Sequence, residues 1–108
     1  MAAAAVLALA GVAGCGADTD EAKAVPESAA IAIAEFLYAP ENVTVAAGSA
    51  VIWANEDKAP HTATARDESF DTGTLEKGDS GEIVLDEPGT YEYYCRFHQF
   101  MNGTIEVE

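Results

Sequence analysis

The stretch TYEYYCRFHQFMNGTIEVE (residues 90–108) has the alternating pattern of two β-strands joined by a short loop. Successive side chains of a strand point to opposite faces of its sheet. One face of the first strand carries Glu92 and Tyr94, and we expect that face to be outward because a glutamate side chain favours water. Cys95 shares the other face with Tyr93. The pattern therefore predicts an inward-facing cysteine at the end of a strand, where a loop begins.

The rest of the domain consists of short apolar stretches separated by turn residues about every 8 to 12 positions. No window has the period of a helix. The sequence therefore predicts an all-β sandwich, with AVIWAN as its most apolar strand. We expect a turn at residues 38–42 and a looser region at residues 67–81. The predicted strands cover residues 29–36, 43–46, 50–55, 61–66, 82–86, 90–95 and 103–108.

Length and charge restrict the possible functions. About 80 residues from Ser28 onward suffice for one small domain, at residues 28–108, but not for two. A formal charge of −14, from 19 acidic and 5 basic residues, repels nucleic acid and anionic lipid and so excludes both as partners. Two interpretations of the acidity remain open. It keeps an exported protein soluble, also at high salt, or it steers the protein toward a basic partner.

The N-terminal residues 1–14, MAAAAVLALAGVAG, are small, apolar and uncharged, which suits the apolar region of an export signal. A run of this length is too short to span a bilayer as a helix. The tetrapeptide VAGC (residues 12–15) resembles a bacterial lipobox and predicts lipidation of Cys15. The segment departs from a usual signal because no Lys or Arg follows Met1. A disulfide between Cys15 and Cys95 is the alternative role for this cysteine.

Residues 16–27, GADTDEAKAVPE, combine charge, alanine and one proline without periodicity. This composition is typical of a flexible tether. We therefore predict a signal peptide at residues 1–14, a lipidated cysteine with its tether at residues 15–27, and a folded domain at residues 28–108.

Metal-binding side chains are concentrated in the loop near the C-terminus. Cys95, His98 and Met101 form a C-x2-H-x2-M pattern. The one other histidine, His61, opens a predicted strand after a loop that Pro60 stiffens. Two histidines and a cysteine with a long axial methionine make up the copper sites used for electron transfer. The soft sulfur suits Cu(I) and the imidazoles also suit Cu(II), so the pattern predicts one such copper site.

Each of these side chains also has an ordinary alternative. A lone cysteine or methionine in a β-domain usually fills space in the core, and a lone histidine usually lies at the surface. Zinc binds cysteine and histidine as well, but thioether is a poor zinc ligand and three protein ligands would leave one position open. The joint spacing within a matching strand pattern favours copper.

Two segments, VIWANEDKAPHTATA and EPGTYEYYCRFHQFMNGTIEVE, resemble the signature segments of the cupredoxins, the small blue copper proteins. Among plastocyanin-like members, the short C-x2-H-x2-M loop is most similar to the amicyanin type. The resemblance implies a Greek-key β-sandwich of about eight strands. It also implies one type 1 copper that cycles between Cu(I) and Cu(II), and the transfer of electrons between larger redox partners. The copper ligands that it implies are His61, Cys95, His98 and Met101.

The same resemblance implies roles for residues around the ligands. Asn55 would tie the ligand loops together, and the backbone N–H of Thr62 would donate a hydrogen bond to the thiolate of Cys95. Phe97 stands where amicyanin-like loops place proline, and it has the backbone N–H that proline lacks. We expect this N–H to be a second donor to the sulfur, which would favour Cu(I) and raise the reduction potential.

Residues near the ligands are also candidates for docking and electron transfer. In the cupredoxins the second loop histidine reaches the surface through an apolar patch, which here implies His98 with Phe97 and Phe100. Inward packing of Phe100 is the alternative. Tyr94 matches an exposed aromatic residue that plastocyanin-like members use as a second site for electron transfer. Arg96 places a positive charge beside the copper, where it steers an anionic partner or pairs with a nearby carboxylate.

These features predict a monomeric, lipid-anchored electron carrier in the periplasm or on the outer face of the cytoplasmic membrane. Its partners would be donor and acceptor oxidoreductases. We expect no enzymatic activity, because a buried four-ligand site leaves no open position for a substrate. A copper chaperone or copper buffer is the alternative function, although exchange sites are often rich in methionine and the domain has one methionine. A structural sandwich with a decayed motif is a further alternative.

Overall fold

The computed structural model describes residues 28–108. Within them there is no helix of the length and hydrophobicity needed to cross a membrane. The predictions for the signal, for Cys15 and for the tether lie outside the described residues. The strands are β1 (Ser28–Ala34), β2 (Leu37–Ala39), β3 (Asn42–Val45), β4 (Ser49–Asn55), β5 (Thr64–Ala65), β6 (Ser80–Leu85), β7 (Gly89–Tyr94) and β8 (Asn102–Val107).

The strands form two four-stranded sheets, in the orders β2-β1-β4-β6 and β3-β8-β7-β5. The pairs β1/β4 and β3/β8 are parallel, and the other neighbouring strands are antiparallel. The chain crosses from one sheet to the other between β2 and β3 and returns between β3 and β4. This arrangement confirms the predicted all-β sandwich.

One hydrophobic core lies between the sheets, because each strand turns alternate apolar side chains inward. In β4, Val51 and Trp53 are buried, whereas Ile52 between them is exposed. Tyr93 in β7 and Cys95 just after it are both fully buried, which confirms the predicted inward face. The ring of Tyr93 packs edge-on against Trp53 with 5.3 Å between the ring centroids.

Gly103 in β8 is the cross-strand partner of Tyr93, and this pairing requires a residue without a side chain. A Cβ atom at position 103 would lie 2.3 Å from both Cζ and Oη of Tyr93. The tyrosine ring therefore occupies the space above the glycine. Burial raises the pKa of Tyr93 to about 12, and its hydroxyl has no hydrogen-bond partner among the described residues. This pair fixes how β8 leaves the loop that contains the metal-binding side chains.

A short hairpin replaces part of the predicted turn at residues 38–42. The chain reverses earlier, at Glu35 and Phe36, and it places Leu37 opposite Ala34. The prediction was wrong here because Glu and Phe are not typical turn residues. Both adopt a positive φ, of 55° and 61°, and the site described below provides the contacts that hold them there.

The predicted strand at residues 61–66 is also shorter in the structure, where only the two residues of β5 belong to it. His61 instead exchanges backbone hydrogen bonds with Leu75, at N···O distances of 3.1 and 2.7 Å. This isolated bridge places the histidine outside the regular sheet, at the end of the sandwich where β7 also ends.

Candidate metal centre

Three potential metal ligands from two distant segments meet at one end of the sandwich. The sulfur of Cys95 lies 3.6 Å from Nδ1 of His61 and 3.7 Å from Nδ1 of His98. The ligand atoms of the three residues all lie within 4.8 Å of one another. His61 and Cys95 are fully buried, whereas His98 is half-buried. The structure therefore brings together three of the four side chains that the sequence nominates as ligands, each with a donor atom facing the others.

The fourth nominated ligand, Met101, is buried at the end of the same loop. Its amide donates to the carbonyl of His98 with an N···O distance of 2.9 Å, and its carbonyl accepts from the amide of Cys95 at 3.3 Å. These two hydrogen bonds close the loop on itself. The C-x2-H-x2-M spacing thus forms one compact turn between β7 and β8.

The sulfur of Cys95 accepts a hydrogen bond from the amide of Thr62 at an N···S distance of 3.4 Å, as the sequence predicts. The expected second donor is not present, because the structure gives no hydrogen bond between the amide of Phe97 and the sulfur. The ring of His98 faces the sulfur instead. The buried hydroxyl of Tyr38 donates to the carbonyl of Thr62, and burial raises the pKa of Tyr38 well above its usual range. Hydrogen bonds therefore hold both the amide and the carbonyl of Thr62.

Asp57 orients His61 from the side opposite the sulfur. Its Oδ2 lies 2.9 Å from Nε2 of His61. An ionised carboxylate only accepts hydrogen bonds, so Nε2 carries a proton, and in the neutral imidazole Nδ1, which faces the sulfur, then has a free lone pair. This is the tautomer that a metal requires at Nδ1. Asp57 is a site residue that the sequence pattern did not predict, and its position four residues before His61 is the one local signal for it.

The same carboxylate also holds the turn between β1 and β2. Its two oxygens accept hydrogen bonds from the amides of Glu35 and Phe36, at 2.8 and 2.9 Å. Partial burial opposes ionisation of Asp57, but the amides of Phe36 and Glu35 and the imidazole of His61 together hold its pKa below the usual range. One carboxylate thus connects a turn of two left-handed residues to a potential metal ligand.

Phe36 lies against both histidines because of this turn. Its ring meets the imidazole of His61 edge-on at 5.1 Å between centroids and that of His98 at 4.7 Å. It also stacks on the ring of Phe100 at 6.4 Å. The sequence pattern predicts a strand at Phe36 and gives no local signal for this contact, since the two histidines lie 25 and 62 positions further along the chain.

Asn55 organises the segment that leads to His61. Its side-chain amide donates to the carbonyls of Ala59 and Leu75, at 2.9 and 2.8 Å, and its side-chain oxygen accepts from the amide of Asp57 at 2.8 Å. The carbonyl of Leu75 also accepts from the amide of His61. The asparagine therefore connects the loop before His61 to the segment that pairs with His61. Its hydrogen bonds do not extend to the loop between Cys95 and Met101.

The surface around His98 is apolar. Phe97 and Phe100 are 52% and 70% exposed, so the alternative in which Phe100 packs inward is not what the structure contains. Phe100 lies 6.2 Å from the imidazole of His98 between ring centroids, and Phe97 lies at 6.3 Å. Together with Phe36 these rings surround the half-buried histidine.

The neighbouring surface carries two arginines. Arg96 pairs with Asp71 at an N···O distance of 3.2 Å. Of the two alternatives for this arginine, the structure therefore contains the one in which it pairs with a nearby carboxylate. Tyr94 is half-buried, and the guanidinium of Arg66 lies over its ring at 4.6 Å from the centroid. Arg66 also donates to the side chain of Asn102. The outward face of β7 is thus covered in part by a cation.

The donor set fits copper better than zinc. A thiolate and two neutral imidazoles suit both Cu(I) and Cu(II), and a thioether in the same loop adds a further soft donor. Among residues 28–108 Cys95 has no disulfide partner, so its sulfur faces the two histidines as a potential metal ligand. The free lone pair that Asp57 secures on Nδ1 of His61 points to the same place. These residues could hold one type 1 copper ion.

The chain is similar to a family of known proteins. The family profile described as "Cupredoxin-like domain" matches residues 2–107. Amicyanin from Paracoccus versutus is 29% identical over an alignment length of 87, and the match covers 76% of this chain and 66% of that protein. Plastocyanin from Scenedesmus fuscus is 34% identical over an alignment length of 86, and the match covers 68% of this chain and 88% of that protein. The chain therefore spans about two thirds of the amicyanin and most of the plastocyanin.

A similar structure has also been solved. The "Novel Purple Cupredoxin from Nitrosopumilus maritimus" aligns with a TM-score of 0.70 and 32% sequence identity, over 74% of this chain and 99% of that one. The alignment thus covers nearly the whole of that structure.

Proposed function

The chain belongs to the cupredoxin family, and from this premise we propose that it is a lipid-anchored blue copper protein that carries single electrons between redox partners. The observation that carries the proposal is the buried cluster of His61, Cys95 and His98, with its ligand atoms within 4.8 Å of one another. Met101, buried in the same loop, is the proposed fourth ligand. A bound copper ion supplies a one-electron couple between Cu(II) and Cu(I).

The protein's part in this function is to keep the ligand positions fixed. Burial of Cys95 and His61 excludes water, and the hydrogen bonds that His61 donates to Asp57 and that the amide of Thr62 donates to the sulfur hold both ligand atoms in place. A cage that does not move between oxidation states lowers the reorganisation that accompanies electron transfer. We therefore propose an electron carrier rather than an enzyme, since a buried four-ligand site offers a substrate no position.

The route of the electron would lead through His98. This imidazole is the half-buried ligand, and the exposed rings of Phe97 and Phe100 surround it with apolar surface suited to a transient protein partner. Tyr94, next to Cys95 in the chain, is the proposed second site. The guanidinium of Arg66 lies over the ring of Tyr94, so this second site carries a positive charge on a protein that is acidic as a whole.

We place the protein in the cell envelope, in the periplasm or at the outer face of the cytoplasmic membrane. Cys15 would carry the lipid, and residues 16–27 would let the domain reach its partners. Membrane fractionation tests this part: Cys15→Ser should release the protein from the membrane without changing its metal site. Retention of the variant in the membrane fraction would contradict the anchor.

Copper titration of the purified protein tests the function. We expect intense blue absorption and a narrow copper hyperfine splitting in the paramagnetic resonance spectrum, both lost in Cys95→Ser. Cys15→Ser is the matched control, because it makes the same change at the other cysteine. Absence of the absorption in the wild-type protein would refute the copper site.

A chelator challenge distinguishes the carrier from a copper chaperone or buffer. Since His61, Cys95 and Met101 are buried, we expect copper to leave slowly and the reduced protein to pass its electron to an oxidant without releasing the metal. Rapid loss of copper to the chelator, with weak visible colour, would favour copper handling.

A further inference from the structure

A chain of hydrogen bonds begins at the residue after Cys95 and runs behind the sulfur. The amide of Arg96 donates to Oγ1 of Thr62 at an N···O distance of 3.0 Å. Oγ1 of Thr62 lies 2.9 Å from Oγ1 of Thr64, and the hydroxyl of Thr64 donates to Oδ1 of Asp71 at 3.1 Å. Because the single hydrogen of Thr64 is directed at the carboxylate, the hydroxyl of Thr62 must be the donor to Thr64. All donors in this polar chain therefore point the same way.

The polar chain returns to its starting residue. Oδ2 of Asp71 pairs with Nη2 of Arg96 at 3.2 Å, so the backbone and the side chain of Arg96 are its two ends. Oδ1 of Asp71 also accepts from the amide of Gly73 at 2.8 Å, which fixes the carboxylate to its own loop. Hydrogen bonds that follow one another in one direction strengthen each other, most of all where water is excluded.

The inner part of the polar chain carries most of its effect. Thr62 and Thr64 are buried, whereas the side chains of Arg96 and Asp71 are 51% and 41% exposed. An ion pair with that exposure contributes little by itself. The buried hydroxyls of Thr62 and Thr64, in contrast, would be left without partners if a hydrogen bond of the polar chain were lost. Asp71 thus acts mainly as the acceptor that orients the hydroxyl of Thr64 and, through it, that of Thr62.

Thr62 connects this polar chain to the sulfur. The residue accepts from Arg96 with its side chain and donates to the sulfur of Cys95 with its amide, at an N···S distance of 3.4 Å. Arg96 follows Cys95 directly, so the polar chain sets both the donor and the acceptor side of the N–H···S hydrogen bond. An N–H group on a thiolate withdraws electron density from it and favours Cu(I) over Cu(II).

We propose that Thr64 and Asp71 are positioning residues that hold the amide of Thr62 against the sulfur of Cys95 and thereby raise the reduction potential of the site. The step from position to potential rests on the proposed copper function. The positioning of the Thr62 amide by the polar chain does not rest on copper, and it is testable in the metal-free protein.

Amide hydrogen exchange of the metal-free, full-length protein tests the position. Thr64→Val keeps the shape of the side chain and removes the hydroxyl, and we expect the amides of Thr62 and Arg96 both to exchange at least about fivefold faster. Thr64→Ser restores the hydroxyl and should restore slow exchange. The amide of Thr72 donates to the carbonyl of Ala63, and the amide of Ala63 donates to Oγ1 of Thr72, both at 3.0 Å, so these bonds hold the strand in place without the hydroxyl of Thr64. Unchanged exchange in Thr64→Val would overturn the proposal whether or not the protein binds copper.

Electrochemistry of the copper-loaded protein tests the potential. Asp71→Asn and Thr64→Val should both lower it and shift the thiolate absorption, and Thr64→Ser should not. Glu68→Gln is the matched control, because it removes a negative charge from the cleft that Asp71 also lines. Equal potentials in Asp71→Asn and Glu68→Gln would overturn the positioning role. If the wild-type protein binds no copper while Thr64→Val exchanges faster, the positioning of the amide is supported and the copper function fails.

Discussion

Asp57→Asn is the substitution that tests most directly how the site is held. The carboxylate accepts hydrogen bonds from the amides of Glu35 and Phe36 and from Nε2 of His61, at 2.8, 2.9 and 2.9 Å. Asparagine has the same shape but offers one oxygen and one N–H2 group. In either orientation of the amide, at least one backbone N–H faces another donor, and the remaining hydrogen bonds lose their charge.

The expected magnitude follows from these contacts. A lost hydrogen bond to a charged group costs roughly 1.5–3 kcal/mol, and neutral hydrogen bonds are about half as strong as charged ones. The side chain of Asp57 is only 15% exposed, so solvent replaces little of the loss. We therefore expect Asp57→Asn to lower the free energy of unfolding of the metal-free protein by about 3 kcal/mol, measured by urea denaturation.

Asp79→Asn is the matched control. The side chain of Asp79 also accepts from a backbone amide, that of Glu76 at 2.9 Å, but it makes no hydrogen bond to a nominated ligand among the described residues. The same change in charge should cost about 1 kcal/mol there. A loss in Asp57→Asn no greater than in Asp79→Asn would refute the role of the carboxylate in holding the turn.

Phe36→Gly separates the turn from the ring. Glycine adopts a positive φ without strain, and a left-handed non-glycine residue costs roughly 1–2 kcal/mol, so the turn itself should gain from this change. The ring on the two imidazoles is lost at the same time. We expect stability near that of the wild-type protein but faster loss of copper to a chelator. Wild-type copper retention would contradict a protective role of the ring.

Three further outcomes follow from burial. Gly103→Ala should lower the free energy of unfolding by about 1–3 kcal/mol in urea denaturation, because the new Cβ overlaps the ring of Tyr93, and a loss below about 0.5 kcal/mol would contradict this packing. The pKa of Tyr93 rises from 10.0 to about 12 on folding, so the unfolded chain releases this proton first and the free energy of unfolding should fall between these pH values. Tyr93→Phe should flatten the dependence of stability on pH in this range. An unchanged slope would refute the assignment. Phe100→Ser should leave stability within about 0.5 kcal/mol, since the ring is 70% exposed, while it slows electron exchange with a partner protein; a loss above about 1 kcal/mol would show that the ring supports the fold.

The sequence by itself determined the fold class and the nominated ligands. Alternation in the segments that form β4 and β7 predicts which side chains face inward, because strand geometry has a period of two residues and depends only on neighbours in the chain. The ligands could be named because the domain contains two histidines, and a cysteine and a methionine share a loop with one of them. Spacing within such a loop is a local property, and the chemistry of copper selects the residue types.

The tertiary structure decided what surrounds those ligands. Asp57 meets the turn at Glu35 and Phe36 only because the parallel pairing of β1 with β4 brings the ends of these strands together. Neither the turn nor the phenylalanine has a local signal, since glutamate and phenylalanine rarely form left-handed turns on their own. The expected hydrogen bond from the amide of Phe97 to the sulfur is absent for a related reason. Whether an amide reaches a sulfur depends on how the loop closes, and the identity of one residue does not determine this.

The pairing of Arg96 with Asp71 shows the same limit. The sequence left this arginine between a partner and a carboxylate, because a charge has many possible neighbours in a chain with 19 acidic residues. The isolated bridge between Thr64 and Asp71 places Asp71 beside β5, and this packing selects the partner. Patterns along the chain thus determine strands and ligand types, whereas hydrogen bonds between distant segments depend on strand order and register, which arise only when the sheets pack.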